Sequence, residues 1–187
     1  ALAASRLARP DASSLLVVGS GRVASLLPEA YRAVLPIEQL RIWSRQPASA
    51  ESLARRQGGQ AVSDLASAVA TADIVSCATL ATEPLIRGEW LAPGSHLDLI
   101  GGFTPAMREA DEACFAGASL WVDTEEALRK SGDLLRPLAS GVITTADVRG
   151  DLAALCRQRP VRRDTGERTV FKSVGSALED LAAAILV

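Results

Sequence analysis

An α/β protein built on a doubly wound, mainly parallel sheet is what this 187-residue sequence predicts, and three observations carry that expectation. Apolar runs of strand length alternate with longer stretches of helical period along the chain, the pattern of right-handed strand–helix–strand units. Runs such as "DIVSCAT" (73–79) and "HLDLIGG" (96–102) are apolar on both faces, as strands buried in a parallel sheet must be. Third, "LLVVGSGRVA" (15–24) breaks an apolar run into Gly-Ser-Gly and restarts with helical character.

In order along the chain, strands are expected at 15–19, 40–44, 73–79, 96–101, 120–123 and 168–173. Helical stretches are expected around 22–34, 48–57, 64–70, 107–115, 124–130 and 151–156. A lead-in helix and linker occupy 1–12, and a closing helix 175–187. Pro28 falls inside the first long helix, where its ring removes the bond to the Ala24 carbonyl, so a kink or a delayed start is expected there. Both termini read as apolar helix ends without stop signals, which leads us to expect that further protein covers them. The 187 residues are read as one cofactor-binding unit.

Composition excludes several classes of function. A formal net charge of -2 gives no basic footprint for nucleic acid, and no apolar stretch is long enough to span a bilayer. Three widely spaced cysteines and a single histidine fit neither a disulfide framework nor a zinc site, so no metal is expected and a reducing cytoplasm is the default. The only tyrosine, Tyr31, is followed four residues on by Leu35 and not by lysine, which removes the Tyr-x-x-x-Lys chemistry of short-chain dehydrogenases. Hydroxy-acid dehydrogenase chemistry would need His96, which the pattern buries in a strand, and no nucleophile elbow is present for a hydrolase.

The Gly-Ser-Gly turn is the feature with a chemical reading. Gly19 can turn tightly after the strand, Gly21 lets backbone approach a pyrophosphate, and Ala24 is small enough for helix-on-strand packing. Those are the three tasks of the G-x-G-x-x-[G/A] dinucleotide fingerprint, with phosphate at the helix N-terminus. Alone the pattern is also that of an ordinary tight turn; its place after the first strand and at the start of a helix favours the dinucleotide. NAD sites usually place an acid at the end of the second strand, but this chain offers Ser44 and Arg45 there and no acid before Glu51. An arginine can pair with a 2'-phosphate in a fork, so NADP(H) is favoured and NAD(H) is the alternative. The competing reading of Arg45 is a solvated surface side chain.

Taken with "LLVVGSGRVA", the segments "ASRLARPDAS" (4–13), "ADIVSCAT" (72–79), "PLIRGEWLAPGSHLDLIGG" (84–102), "LWVDT" (120–124), "SGDLL" (131–135) and "FKSVGSALEDLAAA" (171–184) resemble the ornithine cyclodeaminase/mu-crystallin family over essentially the whole chain. The resemblance implies a Rossmann-like NAD(P)-binding fold and a dimer. It also implies action on small amino acids or their imines, with a separate substrate-binding and dimerisation domain ahead of this one. By matching position it implies a phosphate loop of Gly19, Ser20, Gly21, Arg22 and Val23, and an adenosine ribose site at Ser44 and Arg45. Ala78 and Thr79 would lie along the nicotinamide ribose, and Ser173, Val174 and Gly175 near its ring. Thr79 and Ser173 could equally be ordinary strand-end residues, and Lys172 a solvated side chain.

One position departs from the cyclodeaminase pattern. Where those enzymes carry an aspartate after Gly-Gly, "IGGFTP" places Phe103, which can neither donate nor accept a proton; Asp98 on the same strand is a candidate substitute but is expected to face differently. Three functions therefore stay open: an imine reductase or amino-acid dehydrogenase, a cyclodeaminase-type lyase that recycles NAD, and a non-catalytic NADPH-dependent binding protein. The first is favoured.

Overall fold

The structure, a computed structural model, describes residues 1–157, 162 and 164–185. Among them, eight strands form one sheet: β1 (Ser14–Val18), β2 (Gln39–Trp43), β3 (Gln60–Ala61), β4 (Ile74–Cys77), β5 (His96–Leu99), β6 (Ser119–Val122), β7 (Val148–Asp151) and β8 (Thr169–Lys172). The α-helices are α1 (Ala4–Leu7), α2 (Arg22–Arg32), α3 (Pro47–Gln57), α4 (Leu65–Ala70), α5 (Ala127–Lys130), α6 (Gly132–Ala139), α7 (Leu152–Arg157) and α8 (Ala177–Ile185). Strand order is β3-β2-β1-β4-β5-β8-β6-β7 and all the pairings are parallel, which is the doubly wound sheet the sequence predicts.

Strand periodicity explains why the inner strands are apolar throughout. Successive side chains point to opposite faces, so a strand covered on both sides must be apolar at every position. In β1, Leu15 and Val17 pack with Leu27, Tyr31, Ile42, Leu53 and Ile74 on one face. Leu16 and Val18 pack with Val69, Val75, Cys77, Leu97 and Leu99 on the other. Burying each such side chain contributes about 1.5–3 kcal/mol, and both layers share that contribution.

Several expected elements differ. Residues 107–115 are not helical: Glu109 O accepts from the Leu85 and Ile86 amides, Ala110 bridges Ile86, and only a single 3-10 turn forms at Glu112–Cys114. Partners distant in sequence use the backbone groups that a helix would have paired locally. The 124–130 helix shortens to α5, and α6, capped by the Ser131 side chain on the Asp133 amide, is an element the periodicity did not reveal. Strands β3 and β7 were also missed, because neither has a fully buried residue to give a core pattern. Helix α2 starts at Arg22, so its start is not delayed, and it continues through Pro28, whose ring is buried. The expected closing helix appears as α8, and residues 186–187 of that expectation lie outside the described residues.

Candidate functional site

The connection from β1 to β2 leaves in one direction and that from β4 to β5 in the other, so a crevice opens at the C-terminal ends of β1 and β4. Gly19 begins the turn there. Its φ is +125°, and a Cβ would sit 2.5 Å from the Ala78 carbonyl oxygen, so no other residue fits without rearrangement. Its amide donates to the Trp43 carbonyl at 2.8 Å, tying the turn to the end of β2.

Gly21 is different in kind. It has φ −75° and caps α2, and a Cβ there would meet nothing within 4 Å. The fold does not require glycine at this position; a group approaching from outside would. No side chain caps α2 and no acid stands in its first turn, so the positive end of the helix is left for an anion. The residues present fit the diphosphate of a dinucleotide.

An open cleft of about 250 Å³ is lined by Gly19, Ser20, Gly21, Trp43, Ser44, Arg45, Ala78, Thr79, Leu80 and Leu85. It gathers seven of the residues singled out in the sequence. The Ser20 and Ser44 hydroxyls hydrogen-bond at 2.9 Å, joining the glycine turn to the end of β2. Arg45 is exposed and, among the described residues, has no ion-pair partner. Arg22 and Val23 lie on the exposed first turn of α2 and do not line this cleft.

Ser173, Val174 and Gly175 form a second group beyond the end of β8, with β5 between it and β4. The Ser173 amide donates to the Leu99 carbonyl at 3.0 Å. Asp123, at the end of β6, accepts from the Val174 and Gly175 amides, each at 2.7 Å, and from the Thr124 amide at 2.7 Å. The turn after β8 is thus held by a carboxylate that sequence reasoning did not select.

Between the two groups lies a buried ionic cluster, also missed. The Lys172 ammonium donates to Asp133 Oδ2 at 3.0 Å, with both side chains fully buried. Lys172 is therefore not the solvated residue considered above. Asp133 Oδ1 accepts from the Glu109 and Ala110 amides at 2.7 and 3.1 Å. The buried Glu109 carboxylate accepts from the Thr79 amide and hydroxyl through Oε1, at 2.7 and 2.8 Å, and from the Gly101 amide through Oε2 at 2.7 Å. Burial pushes the Glu109 carboxyl up from the usual range, with the Lys172 charge opposing. A partial signal was available: Asp133 stands in the quoted segment SGDLL and Lys172 follows the apolar run that ends at Phe171, whereas Glu109 sits among other charged residues and carries none.

Asp98 does not serve the cleft. Its Oδ2 accepts from the Tyr31 hydroxyl at 2.6 Å and from the Ser76 hydroxyl at 2.9 Å, and the group is 3% exposed. Burial pushes the Tyr31 hydroxyl well up, so it remains a donor. His96, at the far end of β5, pairs through Nδ1 with the Thr169 hydroxyl at 2.9 Å, and burial lowers its pKa to about 4. Phe103 is 48% exposed in the loop after β5. No helix of the described residues is long and apolar enough to cross a membrane.

A glycine turn entering an uncapped helix at the switch point of a parallel sheet defines a Rossmann-like dinucleotide-binding fold. The chain belongs to the ornithine cyclodeaminase/mu-crystallin family, whose model matches residues 1–187. It is 50% identical over 191 residues to the Delta(1)-pyrroline-2-carboxylate reductase of Paracoccus denitrificans, covering 98% of this chain and 60% of that protein. It is 35% identical to the ketimine reductase mu-crystallin of Mus musculus, covering 98% of this chain and 58% of the relative. Among solved structures, the Thermococcus litoralis Delta(1)-pyrroline-2-carboxylate reductase in complex with NADH and L-proline superposes with a TM-score of 0.93 at 30% identity. That match covers 99% of this chain and 60% of the other. The chain thus spans about three fifths of the length of these relatives.

Proposed function

We propose that this chain is the cofactor-holding part of an NADP(H)-dependent oxidoreductase that reduces a small imino acid, of which a cyclic one such as Δ1-pyrroline-2-carboxylate is the leading candidate. The observation that carries the reading is Gly21, a glycine that the fold does not need, at an uncapped helix N-terminus in the cleft that gathers Ser20, Ser44, Arg45, Ala78 and Thr79. In this reading Gly19, Ser20, Gly21, Arg22 and Val23 take the diphosphate on backbone amides and the helix dipole. Ser44 and Arg45 take the adenosine ribose, with the unpaired guanidinium free for a 2'-phosphate. Ala78 and Thr79 flank the nicotinamide ribose, and Ser173, Val174 and Gly175 approach the ring.

A bound reduced nicotinamide supplies a hydride to the imine carbon, and a proton delivered to the nitrogen completes the amine. The chain's own residues would orient the cofactor, and Phe103, at the position of the cyclodeaminase aspartate, offers no proton. That absence counts against the lyase. Net cofactor turnover separates the two chemistries, and NADPH binding without turnover of any imine would favour a binding protein. Because the chain spans three fifths of its relatives, the residues that grip substrate and complete a cytoplasmic homodimer are assigned to sequence beyond these 187 residues.

The test is calorimetric titration with NADPH and NADH in parallel. The expected result is NADPH at least ~10-fold tighter, with the preference lost in Arg45→Ala, since one good charged hydrogen-bonded pair is worth about 1.5–3 kcal/mol. Equal or NADH-favoured binding overturns the NADP assignment. Absence of binding overturns the cofactor site in this chain.

A further inference from the structure

We propose that Glu109, braced by Asp133 and Lys172, is a positioning residue for the nicotinamide half of the cofactor, acting through Thr79 and the ends of β4, β5 and β8. The inference rests on the cofactor reading above and assigns to the buried cluster a task within it.

The geometry begins where the sheet ladder stops. The last rungs past β4 and β5 are the Ala78 amide on the Val18 carbonyl and the Ile100 amide on the Cys77 carbonyl, both at 2.9 Å. One residue further on, the Thr79 and Gly101 amides find no strand partner. The Glu109 carboxylate stands between them and accepts from both at 2.7 Å. It replaces the next rung at the point where the strands diverge.

The packing leaves little freedom. A Cβ on Gly101 would sit 1.9 Å from the Thr79 carbonyl oxygen and 2.5 Å from Glu109 Oε1. A Cβ on Gly102 would sit 2.5 Å from Asp133 Oδ2. The two strand ends are therefore pressed against the cluster with no side chains between.

Charge explains the choice of glutamate. Two amide N–H groups face its two oxygens, so both must be acceptors. Glutamine presents an NH2 at one of them and sets donor against donor. Lys172 supplies the counter-charge, favouring the Glu109 carboxylate while donating to Asp133 at 3.0 Å, and Asp133 in turn holds the Glu109 amide at 2.7 Å. Lys172 closes β8 and immediately precedes Ser173, Val174 and Gly175. The cluster is what links the Thr79 side of the site to the Ser173 side, two groups with β5 between them. The adenosine end, at Ser20, Ser44 and Arg45, shares none of these contacts.

The separation gives the test. Wild type and Glu109→Gln are titrated with the preferred dinucleotide and with its ADP-ribose or 2'-phospho-ADP-ribose counterpart, which lacks the nicotinamide. Bound-NAD(P)H fluorescence and the melting curve are recorded alongside. The expected result is a loss of at least ~10-fold in dinucleotide affinity with altered nicotinamide emission, while the truncated ligand binds within about twofold of wild type. Equal losses for both ligands, or none for either, overturn the proposal. Failure of wild type to bind either ligand overturns the cofactor reading itself and is recognised without any variant. If Glu109→Gln does not fold, Thr79→Val, which removes the hydroxyl donated to Oε1, is expected to show the same selective loss in smaller measure, with Thr79→Ser restoring it. Thr79→Val indistinguishable from wild type on the dinucleotide overturns the proposal.

Discussion

At the β1–β2 side of the cleft the chain is held by neutral features: the Gly19 turn on the Trp43 carbonyl, the Ser20–Ser44 hydroxyl pair, and the helix that opens at Gly21. At the β5–β8 side the same task falls to buried carboxylates and an ammonium recruited from loops, a helix and a strand far apart in sequence, Glu109, Asp123, Asp133 and Lys172. The first side is stiff because backbone sterics permit one conformation. The second is stiff because a charge removed from water must keep all its partners. The two sides should therefore fail differently when altered.

The largest effect is expected from Lys172→Met, which leaves the Asp133 carboxylate buried without its counter-charge. A loss of about 3–5 kcal/mol follows from breaking one member of a buried pair, read as a shift in the urea midpoint. A loss below about 1 kcal/mol would mean the cluster is not held by charge, and the contrast between the sides would collapse. Gly19→Ala should cost nearly as much by a different route. Backbone strain at φ +125° and overlap with the Ala78 carbonyl each contribute about 1–3 kcal/mol, and cofactor binding should be lost with the turn.

The third effect is pH-dependent and lies at the opposite end of β5 from the cleft. His96 has a pKa of about 4 when folded, against 6.5 when solvated. The unfolded chain takes up its proton first as pH falls. The contribution is thus complete above pH 6.5 and is lost progressively between 6.5 and 4, about 3 kcal/mol in all at most. Urea midpoints measured across that window should fall with acid in wild type and fall less in His96→Gln. Parallel curves would mean another group carries the acid sensitivity.

The smallest effect on stability, and the sharpest comparison, comes from Gly21→Ala. A methyl there meets no atom within 4 Å and φ is ordinary, so the cost is that of a poorer helix cap, about 1 kcal/mol or less. Dinucleotide affinity should nevertheless fall. If Gly21→Ala binds as wild type does, the open space above this residue is not where the diphosphate lies.

The glycine turn and the cleft residues around it were readable because their rules are local. A glycine spacing, a preceding apolar run and a following helix lie within ten residues, and Arg45 is placed by the end of a strand with a recognisable pattern. The same locality misled elsewhere. Residues 107–115 carry enough helical period to be taken for a helix, yet their backbone pairs with residues 81–86 and the Asp133 side chain. The period cannot report such partners.

What the sequence by itself determined is the doubly wound parallel sheet, the glycine turn at its first switch point and the family resemblance, because apolar periodicity and glycine conformation act through neighbours in the chain. What only the tertiary structure decided is which charges are buried and with whom. Lys172, Asp133 and Glu109 are ordinary polar residues in the sequence. They become one cluster because the fold brings Glu109, Asp133 and Lys172, linked by hydrogen bonds that span 24 and 39 positions, to the same strand ends, where water is excluded and each charge must be satisfied by an opposite charge or by hydrogen-bond donors.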